Sequence, residues 1–139
     1  MKKWLKILLW IFLGAGVVTV FVFSNQKEKN KKITGIFQPH LFSRTRDFAI
    51  EFAVELSKLD ELILLPIYPA REEPIYGISS AWLYSKVELS KKYLLTPSEA
   101  LQHFNQFNKG IVLTIGAGDI DKIVAPLKEI LSSNLTTAE

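Results

Sequence analysis

Residues 61–68 read Glu-Leu-Ile-Leu-Leu-Pro-Ile-Tyr, a nearly unbroken apolar run between a helical pattern and a loop rich in turn residues. A strand with one wet face alternates apolar and polar residues, whereas a run apolar at every position is the pattern of a parallel strand covered on both faces. Pro66 lacks an N–H and marks the end of the run. Gly110–Ile115 (GIVLTI) repeats the pattern, and residues 33–39 (ITGIFQP) form a shorter strand of the same kind. Between strands, Asp47–Leu59 carries Phe48, Phe52, Leu56 and Leu59 at helical spacing. Ser79 opens a second helix to Lys92, with Lys91 and Lys92 suited to its negative end. Tyr93–Leu95 is a third strand of the soluble part. Thr96-Pro97-Ser98-Glu99 is then a helix start, with Thr96 as cap, Pro97 in the first helical position and Glu99 reaching back, and this helix runs to about Phe107. Ile120, Ile123, Val124, Leu127, Ile130 and Leu131 give a last helix its buried face; Pro126 is expected to kink or end it, and Leu135–Glu139 to fray. Alternating strands and helices without an internal repeat imply an α/β layer fold with a mostly parallel sheet.

The composition fits one folded domain: 139 residues, 48% of them hydrophobic, are too apolar for a disordered chain. No cysteine is present, which excludes a disulfide scaffold, thiolate metal sites and a cysteine nucleophile. The net charge of +3 is uneven. Residues 1–32 hold seven lysines and one glutamate, and the remainder is acidic, with 10 positive and 13 negative side chains. Ile7–Phe23 is free of charge for 17 residues, and with Trp4 and Leu5 the apolar stretch covers about residues 4–23, enough for one membrane-spanning helix. A signal peptide is the competing reading, but the run is long and ends without a small-x-small cleavage site. Lysines flank both ends, so charge leaves the side of the soluble part undetermined. Residues 24–32 (SNQKEKNKK) read as a basic linker able to rest on anionic headgroups. Without interleaved aromatic residues they do not point to nucleic acid. The expected organisation is an anchor and linker over 1–32 and an α/β domain over 33–139.

Two stretches carry candidate chemistry. Pro39–Arg46 (PHLFSRTR) follows a strand, where α/β folds place their ligands, and offers His40, Ser43, Arg44, Thr45 and Arg46; an ordinary helix-capping loop is the alternative. Arg44 and Arg46 are suited to a carboxylate or phosphate in forked geometry. The loop Tyr68–Pro74, with Arg71, lies at the next strand end and lines the same crevice or is simply solvated. Gly116-Ala117-Gly118-Asp119 is a turn between strand and helix, read as an anion site or as a tight structural turn. It lacks the third glycine of a dinucleotide fingerprint, and no Walker-type phosphate loop occurs. His40 and His103 are the only histidines; with no acidic partner at ligand spacing, no metal site is expected, and His103 reads as a helix-surface residue.

Together IFQPHLFSRTRDF, LILLPIYPAREEPIYGISS and IVLTIGAGDI closely resemble the C-terminal domain of the L-alanine-adding Mur ligases, the UDP-N-acetylmuramate–L-alanine ligase family, over residues 33–131. The resemblance implies a Rossmann-like domain that brings the amino acid to an ATP-dependent ligase of peptidoglycan synthesis in the bacterial cell wall. It puts His40, Ser43, Arg44 and Thr45 on the loop facing L-alanine, with Arg44 toward its carboxylate and Arg46 a weaker candidate. It also puts Arg71, Gly116, Gly118 and Asp119 on the interdomain cleft. Leu41 stands where some members carry a second arginine, so a two-arginine clamp is not implied. The family's UDP-sugar and ATPase domains are absent from this sequence. Catalysis by this chain alone is therefore not expected: no catalytic residue is assigned, and ATP and magnesium would come only through a separate ATPase domain. The family's first strand-helix unit, with an Asp-Tyr-Ala-His-His-Pro type motif, is also missing; in a Rossmann-like order that strand is expected to be central, and its loss to expose two sheet edges. Residues 1–32 weakly resemble the start of the cell-division protein FtsQ. An alternative function follows: a single-pass inner-membrane interaction module without catalysis, with Mur ligase core domains or division proteins as partners.

Overall fold

The computed structural model describes residues 21–24, 31–106 and 110–137. Its elements in chain order are β1 (Phe21–Ser24), β2 (Ile33–Gln38), α1 (Phe42–Asp47), α2 (Ala49–Leu56), β3 (Glu61–Leu64), α3 (Ser80–Lys86), β4 (Lys92–Leu94), α4 (Pro97–His103), a 3-10 turn (Phe104–Gln106), β5 (Ile111–Gly116) and α5 (Asp121–Thr137). The sheet order is β1-β5-β2-β3-β4. The last four strands are parallel, as the apolar runs require, and β1 joins β5 antiparallel, with Phe21 opposite Thr114 and Ser24 opposite Ile111. The architecture is α/β and Rossmann-like.

Alternation along each strand divides the core in two. Phe37, Leu62, Leu64, Leu113 and Ile115 pack with Phe52, Ala53 and Leu56 of α2 and Leu83 of α3. Their neighbours Ile36, Ile63, Leu65 and Val112 pack on the opposite face with Ala100, Phe104, Ile123, Leu127 and Leu131. Helices on both faces are what make strands apolar at every position stable.

Several expectations need correction. Phe21–Ser24 is a strand paired with β5, so the end of the expected membrane span lies in the sheet and across the expected boundary at residue 32. Residues 4–20 lie outside the described residues. No helix among the described residues is long and apolar enough to cross a membrane. Nor does the sheet have the expected gap: β2 pairs directly with β5 on one side and β3 on the other, and among the described residues the edges are β1 and β4.

Helix limits also differ. The helix after β2 begins at Phe42 and breaks at Phe48, whose φ of −112° and ψ of 19° separate α1 from α2. β3 ends at Leu64, two residues before Pro66. Ser79 caps α3 by accepting from Trp82 N–H, but α3 stops at Lys86. Lys92, expected to close that helix from within, does so from β4: its Nζ donates to the carbonyls of Tyr84 (2.9 Å) and Val87 (2.7 Å). The capping box forms as read, with Thr96 Oγ1 accepting from Glu99 N–H and Glu99 from Thr96 N–H. Pro126 lies inside α5 without ending it, and α5 continues into the expected fraying tail as far as Thr137. His103 is not a free surface residue: its Nε2 lies 2.7 Å from Glu61 Oε1, with the ring between Tyr93 and Phe104. The partner was missed because it stands 42 residues away in sequence.

Candidate functional site

The C-terminal ends of β2, β3 and β5 meet at one rim of the sheet, and the loops leaving them are tied together. Leu41 N–H donates to Tyr68 O at 2.9 Å and Tyr68 N–H to Pro39 O at 2.8 Å, which extends the β2–β3 pairing past the strands. His40 pairs with Tyr68 as an isolated parallel bridge, their rings stacked 5.8 Å apart at 16°. On the other flank, Gln38 Nε2 donates to Asp119 Oδ1 at 2.8 Å and fastens the β5 turn to β2.

This rim holds strain and unmet polarity. The non-glycine residues with positive φ among the described residues are Leu41 (66°), Ala70 (44°) and Arg71 (77°), all in the loops after β2 and β3. Left-handed backbone costs an L-residue about 1–2 kcal/mol, and such strain concentrates at functional sites. Gln38 is only 4% exposed, yet its Oε1 has no hydrogen-bond partner, and neither has the buried Nδ1 of His40. Buried polar atoms are almost always paired, so these two are exceptions, as is Thr114 Oγ1 within β5.

Charge adds to this. Burial holds the His40 imidazole below its ordinary value near 6.5, and the nearby Arg44 guanidinium pushes in the same direction against the opposing pull of Glu72. The ring is thus kept neutral, with one nitrogen donating and one accepting. Glu72 accepts from Ser43, including its N–H at 3.0 Å, and these bonds hold its carboxyl below the usual range. The loop after β3 thereby caps α1 in the absence of a side-chain cap from Leu41.

The expected residues divide accordingly. His40, Ser43 and Arg44 come together half-buried at the rim. Thr45 does not face outward: it is fully buried and its hydroxyl donates to Leu41 O at 2.7 Å, a bond within its own helix. Arg46 is exposed and pairs with Asp47 at 2.7 Å. Arg71 is exposed on the strained loop. Gly116 and Gly118 serve close packing: a Cβ on Gly118 would meet Tyr68 Cγ at 2.5 Å and Gln38 Oε1 at 2.8 Å, and one on Gly116 would meet Gln38 O at 3.1 Å. Asp119 is spent on Gln38, with Lys122 Nζ 3.6 Å from its other oxygen. Gln38, Tyr68 and Glu72 were missed. A glutamine ending an apolar strand was the available signal for the first; nothing local distinguishes the other two.

Comparison with known proteins puts this geometry in context. No family model matches the chain. It is 54% identical over 105 residues to the UDP-N-acetylmuramate–L-alanine ligase of Parabacteroides distasonis, covering 76% of this chain and 23% of that enzyme. The same-named ligases of Flavobacterium psychrophilum and Flavobacterium johnsoniae are 50% identical over 102 residues and 45% over 105, again covering 23% of each enzyme and 73% and 76% of this chain. The chain is similar to a segment of Mur ligases. It spans about a quarter of the length of these relatives. The resemblance of residues 1–32 to FtsQ finds no support among them.

Proposed function

We propose that this chain carries the amino-acid-binding domain of a UDP-N-acetylmuramate–L-alanine ligase, with L-alanine as its small ligand. The observation that carries the reading is the rim itself: a guanidinium at Arg44, a neutral imidazole at His40 with an unpaired nitrogen, and an unpaired carbonyl at Gln38 Oε1. A guanidinium matches a carboxylate in forked geometry. An unpaired carbonyl and imidazole nitrogen match the N–H groups of an ammonium, so an amino acid presents groups complementary to this rim. Three of the nine expected residues are better fitted to structure than to ligand: Thr45 and Arg46 have their bonds within or beside their own helix, and Asp119 holds Gln38. In this reading ATP and magnesium are held by a separate ATPase domain, and the sugar-nucleotide by a third.

Saturation-transfer NMR with L-alanine on the full chain tests this. The expected result is transfer to the L-alanine methyl group, weaker for D-alanine, and at least about tenfold weaker affinity in Arg44→Ala, the loss of one charge-assisted pair. Equal response to the two enantiomers and no change in Arg44→Ala would overturn it.

A further inference from the structure

The loop after β3 contains a turn that its own residues do not favour. Glu72 N–H donates to Pro69 O at 2.8 Å, and the two residues between them have φ of 44° (Ala70) and 77° (Arg71). Positive φ at both central positions defines a type I′ turn, which is normally built from glycine, asparagine or aspartate because other L side chains are strained there. Alanine and arginine bring no such relief, so contacts outside the turn must hold it.

The last residue of the turn makes those contacts. Glu72 reaches across to the start of α1, where its carboxylate accepts from Ser43, including the N–H at 3.0 Å, and from Phe42 N–H. Hydrogen bonds to an ionised carboxylate are stronger than those between neutral groups. Leu41, in the capping position of α1, supplies no side-chain bond and itself has φ of 66°. The carboxylate therefore joins two strained segments, Leu41 on one side and Ala70 and Arg71 on the other. The segment it grips carries both His40 and Arg44, within three residues of Ser43. Burial and the Arg44 charge disfavour a proton on the His40 ring, and Glu72 opposes them.

We propose that Glu72 is the positioning residue of this rim: its carboxylate latches the strained Pro69–Glu72 turn to the first turn of α1 and so sets where His40 and Arg44 meet a ligand. Its part is indirect, exerted through those two residues. The effect on binding rests on the reading of the rim as an L-alanine site.

Amide exchange and NMR titration of the full chain test the latch before any ligand is added. In Glu72→Ala the amides of residues 43 and 72 should exchange about tenfold faster or more, while Leu62 and Leu64 stay protected. Glu72→Gln keeps an acceptor and loses the charge. It should speed exchange less, and the His40 imidazole should titrate lower than in the native chain, because the carboxylate that favours its protonated form is gone. A role confined to folding would leave that titration in place. L-alanine affinity should fall about three- to tenfold in Glu72→Ala, the range of one net hydrogen bond. Adding Ala70→Gly should restore part of the loss, since glycine takes left-handed backbone without strain. Unchanged exchange at residue 43, an unmoved His40 titration, native affinity in Glu72→Ala or no recovery with Ala70→Gly would overturn the proposal. Absence of L-alanine binding by the native chain overturns the ligand assignment instead, and the exchange and titration results then decide the latch.

Discussion

The two rims of the sheet are built from the same four parallel strands and differ in how their polar groups are satisfied. At the N-terminal rim Asp60 Oδ2 accepts from Ile33 N–H at 2.7 Å, Asp60 N–H donates to Ile33 O at 3.1 Å, Ser57 Oγ accepts from Glu88 N–H at 2.8 Å, and Glu61 meets His103. At the C-terminal rim the loops are tied as closely, but two buried polar atoms lack partners and three L-residues sit in left-handed backbone. One rim is organised for stability, the other keeps bonding capacity and strain in reserve. Ligands of open α/β sheets lie at the carboxyl ends of the strands, the end where this reserve collects.

The strongest way to break that contrast is to disturb the packing that holds the C-terminal rim in its strained form. Gly118→Ala puts a methyl group against Tyr68 Cγ, and urea denaturation should show a loss of about 2–3 kcal/mol; a loss below about 0.5 kcal/mol would mean the turn is not packed as described. At the other rim His103→Ala removes the Glu61 bond and the Tyr93 and Phe104 ring contacts. It should cost about 1–2 kcal/mol in the same assay and leave L-alanine binding intact.

How far the sequence carries the account differs between these places. The parallel strands were readable because burial on both faces writes consecutive apolar residues, Leu62, Ile63 and Leu64 in β3 and Ile111, Val112 and Leu113 in β5. The Thr96–Glu99 capping box was readable because its partners are three residues apart. Pairings across the fold, Gln38 with Asp119 and Glu61 with His103, leave no local trace, being 81 and 42 residues apart. Phe21–Phe23 was assigned to the membrane because an apolar strand and the end of a transmembrane run have the same composition. Thr45 was placed on the ligand side by its position in a motif, while the helical turn directs its hydroxyl to Leu41 O.

Smaller effects sharpen the contrast. Ala70→Gly removes left-handed strain at the C-terminal rim without losing a side chain that packs, and should raise stability by about 0.5–1 kcal/mol, seen as a higher urea midpoint. The smallest effect is in pH. The folded chain holds His40 below its ordinary value near 6.5, so the unfolded chain binds more protons as the solution is acidified. The contribution is complete above that value and is lost as pH falls through the lower folded one. Denaturation midpoints should therefore decline below about pH 6.5 in the native chain and decline less in His40→Gln.

The most direct test of the contrast is a residue-resolved 1H–15N NMR titration of the full chain with L-alanine. The account predicts shifts at Gln38, His40, Ser43 and Arg44, with Glu61, Tyr93 and His103 unmoved. Shifts at the N-terminal rim, or none at His40 and Arg44 at saturating L-alanine, would contradict it.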